Sequence, residues 1–167
     1  GSFIVSGRRS YADVFLVFAK EEEIKNTTLF FYDLNAKANY KIGDKDRVYI
    51  SGYFGRDKFS LDDQFGFDWG NATGTVRWNH LFNDKLFVNT SFIYSEFDYR
   101  FTIGQGEDGF EIRSKIRDSN LKQDYNYYIN NNNSLKFGVN AIHHTFQPGS
   151  LESGVNVGFN EINLDDR

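Results

Sequence analysis

Cysteine and methionine are missing from the sequence, and proline occurs once. Without cysteine there is no disulfide, no thiol nucleophile and no cysteine-ligated zinc. Histidine is scarce: of His80, His143 and His144, the adjacent pair would point to opposite faces of a strand, which argues against a two-histidine metal site. An excess of basic charge is also lacking. Nineteen basic residues against 23 acidic give a formal net charge of -4, and beyond Arg8-Arg9 nothing offers the basic cluster that nucleic-acid binding requires. No run approaches the roughly 20 apolar residues of a membrane-spanning helix, and no basic start precedes an apolar stretch, so no signal peptide is expected. No Ser/His/Asp arrangement has local support. Neither an enzyme nor a cofactor is expected.

Aromatic residues are what the sequence has in excess. They make up 18% of it, as 18 Phe, 10 Tyr and two Trp, yet the mean hydropathy is only -0.56. Ordinary cores use more aliphatic side chains and fewer rings. The pattern explains the combination. From Leu29 to Ile42 the even positions Phe30, Tyr32, Leu34, Ala36, Ala38, Tyr40 and Ile42 are apolar, while Asp33, Asn35, Lys37, Asn39 and Lys41 between them are polar. Alternation with period two, held this long, predicts a strand with one apolar and one wet face.

The pattern recurs. After the turn "GDKD" at Gly43 to Asp46, Val48, Ile50, Gly52 and Phe54 share a face. "WGNATGTVRWN" sets Ala72, Val76 and Trp78 against Asn71, Thr75 and Arg77, and after "FND" the apolar face continues through Leu86, Val88, Phe92 and Tyr94. A third hairpin turns at Asn130 to Asn133 and aligns Leu135, Phe137, Val139 and Ala141. With "SFIVSGRR" at the start and "GVNVGFNEIN" near the end, about eight antiparallel strands are expected. Short turns near Asp44, Asn83 and Asn132 alternate with longer links near residues 10 to 28, 58 to 66, 102 to 108 and 147 to 154. The first of these links should carry one short helix, with Ser10 as its N-cap.

Two architectures produce such alternation. A soluble β-sandwich binding module buries its apolar faces between two sheets. A transmembrane barrel turns them to lipid. Strands of ten or more residues, loops segregated by length and flanking aromatics favour the barrel. From Tyr32 to Tyr40, at ~3.3 Å per residue and ~40° of tilt, the rise is about 20 Å, near the roughly 25 Å apolar band between aromatic girdles. Tyr32, Leu34, Tyr40, Val48, Phe54, Val76, Trp78, Phe92 and Tyr94 are thus the expected lipid-facing and girdle residues.

On the phrases "SFIVSGRRSYADVFL", "FYDLNAKANYKIGDKDRVYISGYFGRD", "WGNATGTVRWNHLFNDKLFVNTSFIYS" and "NNSLKFGVNAIHHTFQPG", the chain resembles the barrel of TonB-dependent outer-membrane transporters. The likeness is to the group bearing a carboxypeptidase-regulatory-like domain ahead of the plug. The resemblance implies residues 1–167 as an internal slice, about eight strands of an up-and-down barrel of about 22, in the outer membrane of a Gram-negative bacterium. It implies as partners the rest of that barrel and its plug, the TonB complex through a segment this chain does not contain, and membrane lipid. The imported substrate would be a small molecule, a glycan or a peptide. A complete small eight-stranded barrel with a structural or adhesive role is the other membrane alternative.

For substrate contact the expected residues are Asp57 and Trp69, inward-facing near the long-loop ends and on the same side as Ser51 and Asn71. Asp62-Asp63 and Glu21-Glu22-Glu23 read as solvated loop, and His80 as a hydrogen-bonding residue at a membrane boundary. "GQGEDG" at Gly104 to Gly109 matches the G-x-G-x-x-G spacing of dinucleotide sites. That fingerprint needs a helix to follow it, and "FEIRSKIRD" reads as strand, so the glycines are expected to serve a reversing loop.

Overall fold

A computed structural model describes residues 1–16, 18, 27–61, 64–104 and 109–153. The described chain runs β1 (Ser2–Arg9), α1 (Ala12–Leu16), β2 (Thr28–Lys41), β3 (Asp46–Leu61), β4 (Phe65–Asn83), β5 (Leu86–Ile103), β6 (Phe110–Asn130) and β7 (Asn133–Ser153). All seven strands form one antiparallel up-and-down sheet in sequence order, and it is not closed into a barrel. The fold is therefore all-β with one short helix in the first long link. Seven strands are found where about eight were expected; the remaining candidate, "GVNVGFNEIN", lies outside the described residues, as do Glu21-Glu22-Glu23 and Asp62-Asp63. There is no second sheet among the described residues, whereas a sandwich requires two.

The short turns form as expected, for local reasons. Asn83 Oδ1 accepts from the N–H groups of Lys85 and Leu86, at 2.9 and 3.0 Å, and Asn130 Oδ1 accepts from Asn132 N–H at 3.0 Å. These are side-chain mimics of a backbone turn. In the first turn Lys41 donates to Asp44, and that hydrogen bond holds the Asp44 carboxyl below its ordinary pKa. At the helix end, Ser10 is tied to β2: its N–H donates to Phe31 C=O at 2.8 Å and its hydroxyl accepts from Phe31 N–H at 3.3 Å.

The opposite ends differ from expectation. Residues 58 to 66 and 147 to 153 are not long links, because β3 and β4 continue to Leu61 and from Phe65, and β7 runs to Ser153. The single proline, Pro148, lies within β7 between Gln147 and Ser150, where the ladder shifts register opposite Arg113 and Lys115. A bulge is one of the few places in a sheet that tolerates a missing N–H. Gly104 ends β5 at φ 72° and donates to Gln64 C=O at 2.7 Å. A positive φ there is what glycine supplies at little steric cost. The next described element is β6, a strand, as a reversing loop requires; residues 105–108 lie outside the described set.

Among the described residues almost nothing is buried: Val88 is the one apolar side chain shut off from the surface, while Leu34 is 50% exposed, Ile50 55%, Phe92 49% and Val139 68%. A single sheet has no partner layer for its apolar face, and packed domains need one.

Candidate binding face at the far end of the sheet

Directly opposed residues in an antiparallel ladder share a face, so the register assigns every strand residue to one side or the other. Tyr32, Leu34 and Tyr40 lie opposite Arg56, Phe54 and Val48, which lie opposite Gly70, Ala72 and Trp78. Val76 lies opposite Phe92, and Gly74 opposite Tyr94. All nine residues expected to face lipid therefore share one side, the Tyr32 face. Asp57 lies directly opposite Trp69, and Trp69 opposite Tyr99, on the other side, the Trp69 face. The two residues expected to contact substrate are thus cross-strand neighbours, with Ser51 and Asn71 on the same face.

Each face changes character along its length. Toward the turns, the Tyr32 face is apolar and the Trp69 face carries Lys37, Asn39, Ser51, Thr75 and Arg77. A shallow depression of about 430 Å³ lies along that polar part without reaching Asp57 or Trp69. Toward the far end the polarity inverts. The Tyr32 face becomes charged: Arg56 binds Asp68 and reaches Asp98 at 3.3 Å. It does so across Gly70, where a Cβ would stand 3.3 Å from both the Arg56 guanidinium and the Asp98 carboxylate. Further along, Glu96 accepts from Lys115 at 2.9 Å and from Arg117 at 2.7 Å.

The Trp69 face becomes aromatic over the same span. Phe67 stands at its centre, with ring centroids 4.7 Å from Trp69, 6.4 Å from Tyr99 and 6.3 Å from Phe101. Phe65 meets Phe101 edge-on at 5.4 Å and Phe59 at 5.9 Å. Such geometries are favourable for rings beyond the area they bury. The result is an aromatic wall with the Asp57 carboxylate opposite its indole, Trp69.

The upper edge of the apolar region is slanted. Carried along the ladder, Tyr32 aligns with Arg56, Gly70, Asp98, Lys115 and Gln147 in turn. The last apolar side chain before charge, polar groups or glycine take over is Phe54 on β3, Ala72 on β4, Tyr94 on β5, Leu121 on β6 and Ala141 on β7. From β3 to β7 the edge drops four residues against the ladder, from two below Arg56 at Phe54 to six below Gln147 at Ala141, over four strand-to-strand steps. Phe30, one place above Tyr32, is covered by the Arg9 guanidinium, 5.5 Å from its ring centroid.

At the turn end, Asp46 Oδ1 accepts from Trp78 Nε1 at 2.9 Å and lies 2.7 Å from His80 Nδ1. His80 is thus a hydrogen-bonded residue at the border of the apolar region. His143 and His144 fall on opposite faces, paired with Ser119 and Asp118. No group of three potential metal ligands occurs among the described residues.

Comparison with protein-family models, with curated proteins and with solved structures returns no match.

Proposed function

We propose that the chain forms part of the wall of a TonB-dependent outer-membrane transporter, a gated and plugged barrel of about 22 strands that imports a scarce nutrient. The Tyr32 face would meet lipid between the turns and the slanted edge, and the Trp69 face would line the lumen. Asp57 and Trp69 would stand on the lumen wall near the outer mouth, where substrate is first met. The identification with that family rests on the resemblance of the strand phrases. The membrane part has separate physical support.

The observation that carries it is the slant. In a barrel the strands tilt from the membrane normal, so a level apolar band must cross the ladder obliquely. Four residues over four steps, at ~3.3 Å per residue and ~4.8 Å between strands, correspond to a tilt of about 35°. Transmembrane barrels tilt by roughly 35–45°. A sandwich has no reason to slant its apolar face at that angle. Strand length fits as well: β4 to β7 have 18 to 21 residues, while about 9 to 11 suffice to cross a bilayer. The remainder is the stretch where polarity inverts, as expected of strands that project beyond the membrane into water.

The two tryptophans test this reading because they lie on opposite faces. In liposomes, the intact protein carrying Trp69→Phe should fluoresce from Trp78 and be quenched by brominated phospholipid. The Trp78→Phe form should fluoresce from Trp69, respond to acrylamide and ignore the brominated chains. Equal response of both to either quencher, or a protein that stays in solution when membranes are pelleted without detergent, contradicts the proposal.

A further inference from the structure

Resting on the reading of the Tyr32 face as lipid-facing, we propose that its charged border on β5 and β6 binds the phosphate of an anionic lipid in the outward-facing leaflet. Two cation–carboxylate–cation groups stand there on one face. Glu96 lies between Lys115 and Arg117, and Glu111 lies between Arg113 and Arg100, the latter at 3.5 Å. With Asp98 opposite Lys115 and Asp68 opposite Arg100, this face of β3 to β6 carries Arg56, Lys58, Arg100, Arg113, Lys115 and Arg117 against Asp68, Glu96, Asp98 and Glu111, six cations for four carboxylates.

The carboxylates lie deeper than the cations. Glu111 and Glu96 are 22% and 28% exposed, against 33% for Lys115, 41% for Arg117, 46% for Arg100 and 49% for Arg113. The glutamates hold the cationic side chains in place, and the surface offered outward is positive. Guanidinium groups still have donors left after one carboxylate contact, because each carries five N–H bonds in a fork that suits phosphate.

Position selects a lipid over a free anion. Glu96 is two residues from Tyr94 along β5, and Arg117 four from Leu121 along β6, on the same face. Phe92 and Leu121 oppose each other just below and are 49% and 54% exposed. The surface is therefore cationic above and apolar beneath, complementary to an amphiphile with an anionic head and hydrocarbon chains. Acyl chains would lie on Phe92, Tyr94 and Leu121, with the phosphate between Arg117 and Lys115.

The test uses the intact protein in uncharged detergent micelles, titrated with dioleoyl phosphatidic acid, with dioleoyl glycerol and with glycerol phosphate, and read by native mass spectrometry. Phosphatidic acid should remain bound, while dioleoyl glycerol and glycerol phosphate should bind at least about tenfold more weakly. Combined Lys115→Gln and Arg117→Gln should weaken phosphatidic acid binding about tenfold or more, since hydrogen bonds to charged groups are the strong ones. Glu96→Gln breaks the same ion pairs but leaves both cations, so it should hold or tighten binding. If Glu96→Gln weakens binding as much as the cation variants do, the residues are merely structural and the proposal fails. If the cation variants bind like the parent, or glycerol phosphate binds as well as the lipid, it fails too. A protein that remains soluble without detergent overturns the underlying membrane reading instead, an outcome these titrations do not share.

Discussion

Val76→Arg is expected to cost about 2–4 kcal/mol of stability in a bilayer, the range found for a basic residue facing lipid near the midplane of a barrel. Val76 is 47% exposed on the Tyr32 face, between Ile50 and Phe92 in the ladder and midway along β4 between the last apolar residue at the upper edge, Ala72, and the border residue His80. A loss of that size lowers the folding equilibrium roughly thirty- to seven-hundred-fold. Thr75→Arg, one residue away on the polar face between Ser51 and Ile93, should stay within about 0.5 kcal/mol of the parent. Urea unfolding of the intact protein in liposomes, followed by fluorescence, measures both. Equal costs for the two variants would mean that neither face is in lipid.

Phe67→Ala should have the next largest effect, and a local one. Phe67 touches Trp69, Tyr99 and Phe101, and through Phe101 its cluster extends to Phe65 and Phe110. Truncating a fully buried phenylalanine costs about 3–5 kcal/mol; Phe67 is only partly covered, so about 2 kcal/mol is expected. The loss should appear in amide hydrogen exchange as faster opening of residues 65–69 and 97–103. The stretches 74–79 and 88–94, in the lipid-facing half, should keep their protection, because they share no ring with the cluster. Uniform loss of protection, or none, would show that the aromatic wall does not hold the far ends of β4 and β5 together.

The half of the sheet nearest the turns was legible in the sequence because its alternation is simple. Tyr32 through Tyr40, Val48 through Phe54 and Leu86 through Tyr94 keep one phase, and short polar turns bound them. In the far half, residues 58 to 66 were read as a link for a physical reason. Alternation continues there with the faces exchanged: Arg56 and Lys58 occupy the positions that were apolar, and Phe59, Leu61, Phe65 and Phe67 those that were polar. A search for one continuous apolar stripe stops at the exchange, and the charges then look like a solvated link. The signal was present in "KFSLDDQFGFDW", whose odd-numbered Phe59, Leu61, Phe65, Phe67 and Trp69 are apolar. That Asp57 and Trp69 share a face was legible because parity needs no knowledge of strand ends. Their pairing was not, since register across β3 and β4 depends on a turn whose length the sequence did not define. The Glu96 ion pairs were likewise invisible, as they join residues 19 and 21 apart through ladder register.

The exchange of faces can be measured directly along β5. The sequence has no cysteine, so single cysteines introduced from Thr90 to Phe101 in the intact protein can each carry the only spin label. In liposomes, labels at 90, 92 and 94 should be more accessible to oxygen than to a water-soluble nickel complex, and those at 91, 93 and 95 less so. From 96 onward the pattern should change, with 96, 98 and 100 open to the nickel complex and 97, 99 and 101 shielded by the aromatic wall. Labels at 90, 92 and 94 that are shielded from both reagents, or one unbroken phase from 90 to 101, would contradict a wall that lies in lipid on one side and inverts its polarity above the membrane.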